Sequence, residues 1–322
     1  MPLAAPLRFT PPAARAPSTA PDDPRVGHLL GRALAPGDRP RCVLVGFPVD
    51  EGVRRNGGRP GAAQGPVAIR EALYRLTPDA EHAAAFTALL GHTLDLGDVV
   101  AGGFLDADQE RLGDAVGEQL AAGTFVIVLG GGHETAYGHF LGYVRAGLDV
   151  AMLNWDAHAD VRELREGSGH SGSPFRQALL HPSGRARRYT VAGLQPHAVA
   201  RAHAEFVRAH GAAHFARDVD DALVRRVYAE GDDALLASFD LDAVDRAWAP
   251  GVSAPATGGL RVPTWLDAAY HAGRCARVRS ADVVELNPAV DHDGQTAALA
   301  ALTVWWIWKG LADRALAPPV DV

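Results

Sequence analysis

Six short runs that are apolar at nearly every position constrain the fold of this 322-residue chain more than any other feature. The clearest run, residues 125–129, reads Phe-Val-Ile-Val-Leu and is followed by three glycines. A strand with apolar side chains on both faces must be covered on both faces, which is typical of parallel sheets flanked by helices. The six predicted strands cover residues 41–47, 125–129, 150–155, 188–194, 234–239 and 281–286.

Longer segments with helical spacing separate these runs. Leu112, Val116 and Leu120 recur every four residues within segment 106–122, and Pro66 stands where proline is common, in the first turn of a helix. The predicted helices cover residues 65–73, 106–122, 135–146, 198–209, 218–229 and 264–273. Alternating strands and helices predict an α/β fold with one doubly wound parallel sheet and helices on both of its faces.

The composition supports one large core, because 48 % of the residues are apolar and α/β domains reach about 250–300 residues as single units. Residues 1–24 are rich in proline and alanine, and proline blocks helix and removes a backbone donor. We therefore expect residues 1–24 to be a poorly ordered extension and residues 25–322 to form a single domain.

Charge and cysteine content narrow the class of protein. A formal net charge of -7 and a pI near 6.0 give no electrostatic reason to bind nucleic acid or an anionic membrane. The most apolar stretch, residues 297–308, is shorter than the roughly 20 residues that span a bilayer. The first residues lack the basic and apolar blocks of a secretory signal. Two isolated cysteines, Cys42 and Cys275, make no disulfide framework, so we expect a cytoplasmic protein.

Polar residues at the ends of the predicted strands are the candidates for function, because ligands of open α/β sheets gather at the carboxyl ends of the strands. The first end carries His133 after Gly130, Gly131 and Gly132. The glycines match neither the dinucleotide-binding nor the Walker pattern. His133 is therefore a candidate ligand at the start of a helix, and a turn with a capping histidine is the alternative.

The second strand end carries three alternating polar side chains, Asp156, His158 and Asp160. In an extended segment all three point the same way. Two carboxylates and an imidazole on one face are unfavourable unless a cation neutralises them, and mixed oxygen and nitrogen donors suit a divalent ion such as manganese. A solvated loop without function is the alternative.

The third strand end repeats this pattern, with Asp240 and Asp242 on one face and Leu241 on the other. Six protein ligands are too many for one ion that must keep an open position, and they suit two ions about 3.5–4 Å apart. A non-catalytic binding or assembly subunit stabilised by metal is the alternative outside enzymes, although a broken ligand set would be expected there. The six candidate metal ligands are His133, Asp156, His158, Asp160, Asp240 and Asp242.

Residues 43–309 resemble the ureohydrolase family of arginases, agmatinases and formimidoylglutamases. The family's histidine after a glycine turn matches His133, its D-A-H-x-D motif matches residues 156–160, and its S-x-D-x-D motif with the following A-P-G matches residues 238–251. The resemblance implies a three-layer α/β/α arginase-like fold, two Mn²⁺ ions per subunit on the six ligands, and a trimeric or hexameric homo-oligomer.

Within this family the chain is most similar to the formimidoylglutamase branch. The G-G-G-H-E sequence at 130–134, the segments 51–62 and 171–177, and Val-Glu-Leu-Asn-Pro at 284–288 carry this similarity. It implies that a hydroxide between the two ions hydrolyses N-formimidoyl-L-glutamate to L-glutamate and formamide, in histidine degradation. A guanidino-compound ureohydrolase of the agmatinase, guanidinobutyrase or arginase type, which releases urea, is the alternative; a single-zinc deacetylase of related fold needs fewer ligands.

The resemblance also suggests catalytic groups. Arginases and agmatinases carry a proton-transferring histidine in an H-G-x-P motif, and Ser171 stands at that position here. His170, directly before it, is the candidate replacement. We expect Asp160 to relay a proton to the leaving amine and Glu285 to bind the cationic amidine by a charge-assisted hydrogen bond.

The substrate's two carboxylates require cationic or amide partners. Arginines cluster in the glycine-rich segment after the first predicted strand, and guanidinium groups suit carboxylates. A solvated basic loop is the alternative. The predicted substrate-binding residues are Arg54, Asn56, Arg59, Arg162 and Glu285, with Arg55 and Arg176 as further candidates.

Overall fold

The computed structural model describes residues 8–20 and 22–316, and within them nine strands form one sheet. Six of these strands coincide with the six that the sequence predicts. The strands are β1 (Phe9–Thr10), β2 (Cys42–Phe47), β3 (Thr93–Val99), β4 (Phe125–Gly130), β5 (Val150–Trp155), β6 (Ala186–Leu194), β7 (Gly211–Phe215), β8 (Ala234–Asp240) and β9 (Val278–Val284).

Helices connect most of these strands. The six predicted helices are present, with ends shifted by up to three residues, and α11 extends the apolar stretch 297–308 in both directions. No helix of the described part of the chain has the length and apolarity that crossing a membrane requires. The helices are α1 (Val26–Leu29), α2 (Glu51–Arg55), α3 (Gly65–Leu73), α4 (Ala83–Gly91), α5 (Leu105–Ala121), α6 (Thr135–Ala146), α7 (Pro174–Leu179), α8 (Arg201–His210), α9 (Asp221–Ala229), α10 (Val262–Arg274) and α11 (Gln295–Leu316).

The sheet has the order β1-β3-β2-β4-β9-β8-β5-β6-β7. All neighbours from β3 to β7 pair in parallel, which confirms the predicted parallel sheet for these eight strands. The edge strand β1 is antiparallel to β3, so the sheet is mixed. β1 falls within residues 1–24, where no strand was predicted, because two residues are too few for a periodic pattern. Residues 1–7 and 21 of that segment, and 317–322, lie outside the described residues.

Two hydrophobic cores cover the two faces of the sheet. Along β2, Cys42 and Leu44 face one core, whereas Val43, Val45 and Phe47 face the other. Helices α3, α4, α9, α10 and α11 pack on the first face and α5 to α8 on the second. This arrangement confirms the three-layer α/β/α fold and explains why the buried strands are apolar at every position.

Strand β3 was missed because aspartates interrupt its apolar pattern. Arg70 of α3 pairs with Asp95 through two contacts, Nε to Oδ2 at 2.7 Å and Nη2 to Oδ1 at 3.0 Å, and also pairs with Asp98. The Tyr74 hydroxyl donates a further hydrogen bond to Asp95. Arg70 is only 1 % exposed. This arginine, which is remote in sequence, neutralises the aspartates that interrupt the apolar pattern of β3. The partly buried edge strand β7 was missed as well.

The topology places four strand ends side by side. β4 and β5 follow each other in the chain, but β9 and β8 lie between them in the sheet. Such a switch in strand order opens a crevice at the carboxyl ends, which is where α/β sheets bind ligands. The polar residues after β4, β9, β8 and β5 therefore meet at this crevice.

We predict that Arg70→Met lowers the free energy of unfolding by about 3–5 kcal/mol, because it leaves the Asp95 and Asp98 side chains, only 5 % and 15 % exposed, without a cation. Urea denaturation followed by circular dichroism measures the change. Arg75→Met, at an exposed arginine just after the same helix, is the matched control and should change stability by less than about 0.5 kcal/mol. A loss below about 1 kcal/mol for Arg70→Met would contradict the neutralising role.

Candidate metal centre

The turn after β4 brings His133 into the crevice. The N–H groups of Gly131 and Gly132 donate to the carbonyl oxygens of Phe47 and Val49, both at 2.9 Å. A Cβ at Gly131 would lie 1.9 Å from the Val49 carbonyl oxygen, so this close approach of two backbones requires glycine. His133 follows immediately and is almost completely buried.

Three carboxylates converge on the His133 ring. Its Nδ1 lies 2.9 Å from Asp160 Oδ2, 2.9 Å from Asp240 Oδ2 and 3.3 Å from Asp156 Oδ2. These residues come from the ends of three different strands, β4, β5 and β8. The structure therefore collects four predicted ligands into one group, which we call group A.

A second group surrounds His158. Its Nδ1 lies 3.1 Å from Asp242 Oδ2 and 3.4 Å from Asp156 Oδ1. Asp156 contributes Oδ2 to group A and Oδ1 to this second group, group B. A carboxylate shared in this way is suited to bridge two ions.

The donor set fits two divalent cations. Within each group the potential ligand atoms all lie within 4.8 Å of one another. His133 Nδ1 and Asp242 Oδ1 are buried without a hydrogen-bond partner among the described residues, although carboxylate oxygens lie near His133 Nδ1. Four carboxylates outnumber two imidazoles, so an ion in each group would balance the charge and satisfy the unpartnered atoms. Six oxygen and nitrogen ligands suit ions of the manganese type.

Second contacts orient the His133 ring. Its Nε2 donates to Ser238 Oγ at 3.0 Å, and Ser238 Oγ donates to Asp282 Oδ1 at 2.6 Å. The other oxygen of Asp282 contacts His139 Nδ1 at 2.7 Å. With Nε2 carrying the proton, Nδ1 is free to act as a ligand. Sequence reasoning missed Asp282, although a lone aspartate inside the apolar run 281–286 was a signal for it.

Backbone and side-chain donors fix the carboxylates. Asn154 Nδ2 donates to Asp156 Oδ2 at 2.8 Å, and the His158 N–H donates to Asp156 Oδ1 at 2.6 Å. The Asp242 N–H donates to Asp240 Oδ1 at 2.9 Å. These short-range contacts orient the carboxylates of Asp156 and Asp240, each at the end of a strand.

The charge imbalance shifts the pKa values of the cluster. Burial alone lowers the pKa of His133, but the carboxylates of Asp156, Asp160 and Asp240 close to its Nδ1 outweigh burial and raise that pKa well above its usual value. The charge of Asp242 raises the pKa of His158 in the same direction. Burial, followed by repulsion from neighbouring carboxylates, raises the pKa of Asp240 well above its usual value. Without cations the cluster therefore holds extra protons.

Among the predicted substrate-binding residues, Asn56, Arg59, Arg162 and Glu285 line a cavity of about 290 Å³ above the cluster. Arg54 does not, because its side chain is 62 % exposed and its Nη2 and Nε lie 3.4 Å from Asp50 and Glu51. The cavity also contacts Gly57, Gly58, His133, His158, Asp160, Ser171, Asp240, Asp242, Ser253 and Ala254.

His170 is not brought into the cavity. Its ring is buried, its Nε2 lies 3.0 Å from the Glu163 carbonyl oxygen, and its Nδ1 accepts the Gly172 N–H at 3.1 Å. Ser171 lines the cavity instead and accepts a hydrogen bond from Asn56. Both ring nitrogens of His170 therefore contact the backbone of the surrounding loop, and the ring lies outside the residues that line the cavity.

The arginines near the cavity differ in what they contact. Arg59 donates to the carbonyl oxygens of Ser253 and Val252, so its guanidinium ties one loop to another. Arg162 Nη1 donates to Asn56 Oδ1 at 3.1 Å. Two further candidates, Arg55, which donates to Gly169 O, and Arg176, which stacks on Phe206, are outside the cavity lining. Arg162 is therefore the arginine best placed to contact a ligand.

Glu285 sits at the cavity in a strained conformation. Its φ is +69°, a left-handed value that costs a residue with a Cβ on the order of 1 kcal/mol. Its Oε1 accepts the His133 N–H at 2.8 Å. Burial, with repulsion from Glu134 and Asp242, raises the pKa of Glu285 to about 8. A cationic group beside it would restore the carboxylate.

The sequence model of the Arginase family matches residues 40–308, and the chain belongs to this family. Within this family, the chain is similar to proteins named formimidoylglutamase. It is 40 % identical over 286 residues to the formimidoylglutamase of Nocardia farcinica, covering 85 % of this chain and 88 % of that protein. It is 38 % identical over 297 residues to the formimidoylglutamase of Chromobacterium violaceum, covering 88 % and 92 %.

A solved structure of a formiminoglutamase is also similar to this chain. The crystal structure of Trypanosoma cruzi formiminoglutamase with Mn²⁺ superimposes with a TM-score of 0.84 at 34 % identity, and the match covers 91 % of this chain and 100 % of that chain. A family member of known structure thus shares both the fold and a third of the sequence.

We predict that binding of Mn²⁺ to the metal-free protein releases at least one proton near pH 7.5, because the carboxylates raise the pKa of both imidazoles. Calorimetric titrations in buffers of different ionisation enthalpy measure this number. Since Mn²⁺ competes with these protons, its apparent affinity should rise from pH 6 to pH 8.5. A binding heat that does not depend on the buffer would contradict the expected protonation of His133 and His158.

Proposed function

We propose that this chain is a formimidoylglutamase, which hydrolyses N-formimidoyl-L-glutamate to L-glutamate and formamide with two Mn²⁺ ions per subunit. The observation that carries the proposal is the six-ligand cluster, five residues of which line a cavity that Glu285, Arg162 and Asn56 also line. The formimidoylglutamase relatives, one of them crystallised with Mn²⁺, support the same conclusion.

The substrate's cationic amidine suits Glu285. Its buried carboxyl lines the cavity next to the cluster and already accepts a hydrogen bond from the His133 backbone. An amidinium placed against the free oxygen would form a charge-assisted hydrogen bond and lower the pKa of Glu285 from about 8. The amidine carbon would then lie beside the metal ligands.

The substrate's carboxylates suit Arg162 and Asn56, which also line the cavity. Arg162 offers guanidinium donors, and Asn56 connects it to Ser171 through hydrogen bonds of 3.1 Å on each side. Arg59 holds this wall in place through the carbonyl oxygens of the 252–253 loop. A planar guanidinium can hold a carboxylate through two parallel hydrogen bonds, which fixes its orientation as well as its position.

Hydrolysis needs a nucleophile and a proton for the departing amine. When bound, two Mn²⁺ ions supply water that ionises near neutral pH and positive charge beside the reacting carbon. Water adds to the formimidoyl carbon, the bond from that carbon to the glutamate nitrogen breaks, and the nitrogen gains a proton. Asp160, which belongs to group A and lines the cavity, is the residue we assign to carry this proton. We assign no such role to His170.

Product analysis tests the proposal. The Mn²⁺-loaded protein is given N-formimidoyl-L-glutamate and, in parallel, L-arginine, agmatine and 4-guanidinobutyrate. We expect formamide and L-glutamate from the first compound only. Urea from a guanidino compound, with formimidoylglutamate left intact, would overturn the substrate assignment.

We predict that Asp242→Ala lowers kcat more than about 100-fold, because group B loses one of its three ligands. Steady-state kinetics and metal content by mass spectrometry measure the effect. Circular dichroism verifies that the variant is folded. Full activity in this variant would contradict the metal role of group B.

We predict that Arg162→Met raises KM for N-formimidoyl-L-glutamate about 10- to 100-fold, because a charge-assisted hydrogen bond to carboxylate contributes about 1.5–3 kcal/mol. Arg54→Met is the matched control, since that arginine is exposed and outside the cavity lining; its KM should stay within about threefold. Equal KM values for both variants would exclude Arg162 as the carboxylate partner.

We further propose that the chain acts in the cytoplasm, in histidine degradation, as a homo-oligomer, either a trimer or a hexamer. Cys42 and Cys275 are both free thiols, which agrees with a reducing compartment. Light scattering of the purified protein measures the assembly, and a monomeric mass would contradict this part of the proposal.

A further inference from the structure

Glu134 directly follows the candidate ligand His133, yet it belongs neither to the cluster nor to the cavity lining. Its side chain is completely buried. Its Oε1 accepts the N–H of Gly52 at 2.6 Å, a contact between residues 82 positions apart. A buried carboxyl next to the candidate metal centre thus accepts a hydrogen bond from a segment that is remote in sequence.

Two glycines make room for this carboxyl. A Cβ at Gly52 would lie 2.5 Å from Glu134 Cδ, and a Cβ at Gly132 would lie 2.2 Å from Glu134 Oε2. Neither glycine has a positive φ, so the backbone conformation does not require glycine at either position. At Gly52 the Glu134 side chain requires it; at Gly132 the Glu134 carboxyl and Val53 Cγ2, 2.4 Å from such a Cβ, require it together.

The Gly52 contact connects the ligand turn to the cavity wall. Gly52 lies in α2, and the residues that follow this helix, 56–59, line the cavity; we call residues 51–59 the wall segment. On the other side, Gln109 Nε2 donates to the Glu134 carbonyl oxygen at 2.8 Å and fixes the start of α6. Glu134 therefore connects the turn that carries His133, which Gln109 holds in place, to the wall segment.

Other contacts hold the far end of the wall segment. The Arg59 N–H donates to Ser253 Oγ at 2.8 Å, and Asn287 Nδ2 donates to the carbonyl oxygens of Arg59 and Pro60 at 3.1 and 3.0 Å. Loss of the Glu134 contact would leave these bonds in place. It would free only the α2 part of the segment, which lies between the Gly132–Val49 backbone hydrogen bond before it and Asn56 after it.

The α2 end moves together with the loop that carries Arg162. Arg55 Nη1 donates to the Gly169 carbonyl oxygen at 3.2 Å, and Arg165 Nη1 donates to the Arg55 carbonyl oxygen. Arg162 itself donates to Asn56. A shift of α2 relative to His133 would therefore move the proposed carboxylate-binding groups as a unit.

We infer that Glu134 is a positioning residue for substrate binding: through Gly52 it sets the distance from the metal-ligand turn to the wall segment that receives the substrate's carboxylates. This inference rests on the proposed function, because only a ligand that spans both places is sensitive to that distance. Misplacement of binding groups by about 1 Å is enough to weaken such a two-ended fit.

The first test is Glu134→Ala in the Mn²⁺-loaded enzyme. We expect KM for N-formimidoyl-L-glutamate to rise about tenfold while kcat stays within about threefold and the manganese content is unchanged, because the ligands remain and the wall moves. A fall in kcat and in manganese content at constant KM would overturn the inference, since Glu134 would then serve only the ligand turn.

Glu134→Gln is the matched control, because its amide oxygen can still accept the Gly52 N–H in the same space. Its KM should stay within about threefold of the original value. A tenfold rise in this variant as well would overturn the inference, since preserving the acceptor and its shape would then have no effect on substrate binding.

Gly52→Ala tests the contact from the other side and covers the case in which Glu134→Ala does not fold. Its added Cβ displaces the carboxyl, so KM should rise while kcat is retained. In the double variant Gly52→Ala/Glu134→Ala the clash with Cδ and Oε2 is removed and only a Cβ–Cβ approach of 2.8 Å remains, so KM should lie below the product of the two single effects. Independent, multiplicative effects on KM would contradict a shared contact.

The two proposals fail in different ways. If the unmodified protein does not hydrolyse N-formimidoyl-L-glutamate, the proposed function is wrong. If it does, and KM is unchanged in both Glu134→Ala and Gly52→Ala, only the positioning role of Glu134 is wrong.

Discussion

A surplus of buried negative charge is the constraint on which the rest of this structure depends. Four carboxylates and two imidazoles meet at the carboxyl ends of β4, β8 and β5, with Glu285 after β9 beside them. Such a group is stable only with cations or with extra protons, and the raised pKa values of both imidazoles reflect the second condition. The sheet order serves this cluster, because inserting β9 and β8 between β4 and β5 brings the ligand-bearing ends together.

Residues around the cluster fix the positions and orientations of the candidate ligands. Gly131 lets two turns approach, Asn154 and backbone N–H groups orient Asp156, and Ser238 with Asp282 orients His133. The left-handed φ values of Asp160 and Glu285 show that the fold tolerates strain at the cavity. Both residues carry carboxyl groups that line the cavity.

Much of the fold and of the candidate site could be predicted from the sequence. The features that could not be predicted depend on contacts between segments that are far apart in the chain. The six strands and helices with regular apolar patterns were predicted because burial on both faces, or on one helical stripe, leaves a periodic signal. Strand β3 was not, because Arg70 neutralises its aspartates from outside the strand. Arg54 and His170 were expected at the substrate, but proximity in sequence to Asn56 and Ser171 does not decide which way a side chain points.

The sequence by itself determined the α/β architecture and indicated the six candidate metal ligands, since both depend on local patterns: apolar runs, alternating aspartates and a histidine after glycines. Only the tertiary structure decided which residues face the cavity, which atom of Asp156 joins which group, and that Glu134 holds Gly52. These are contacts between segments far apart in the chain, fixed by strand order and loop packing. The periodic pattern of apolar residues in the sequence does not predict such contacts.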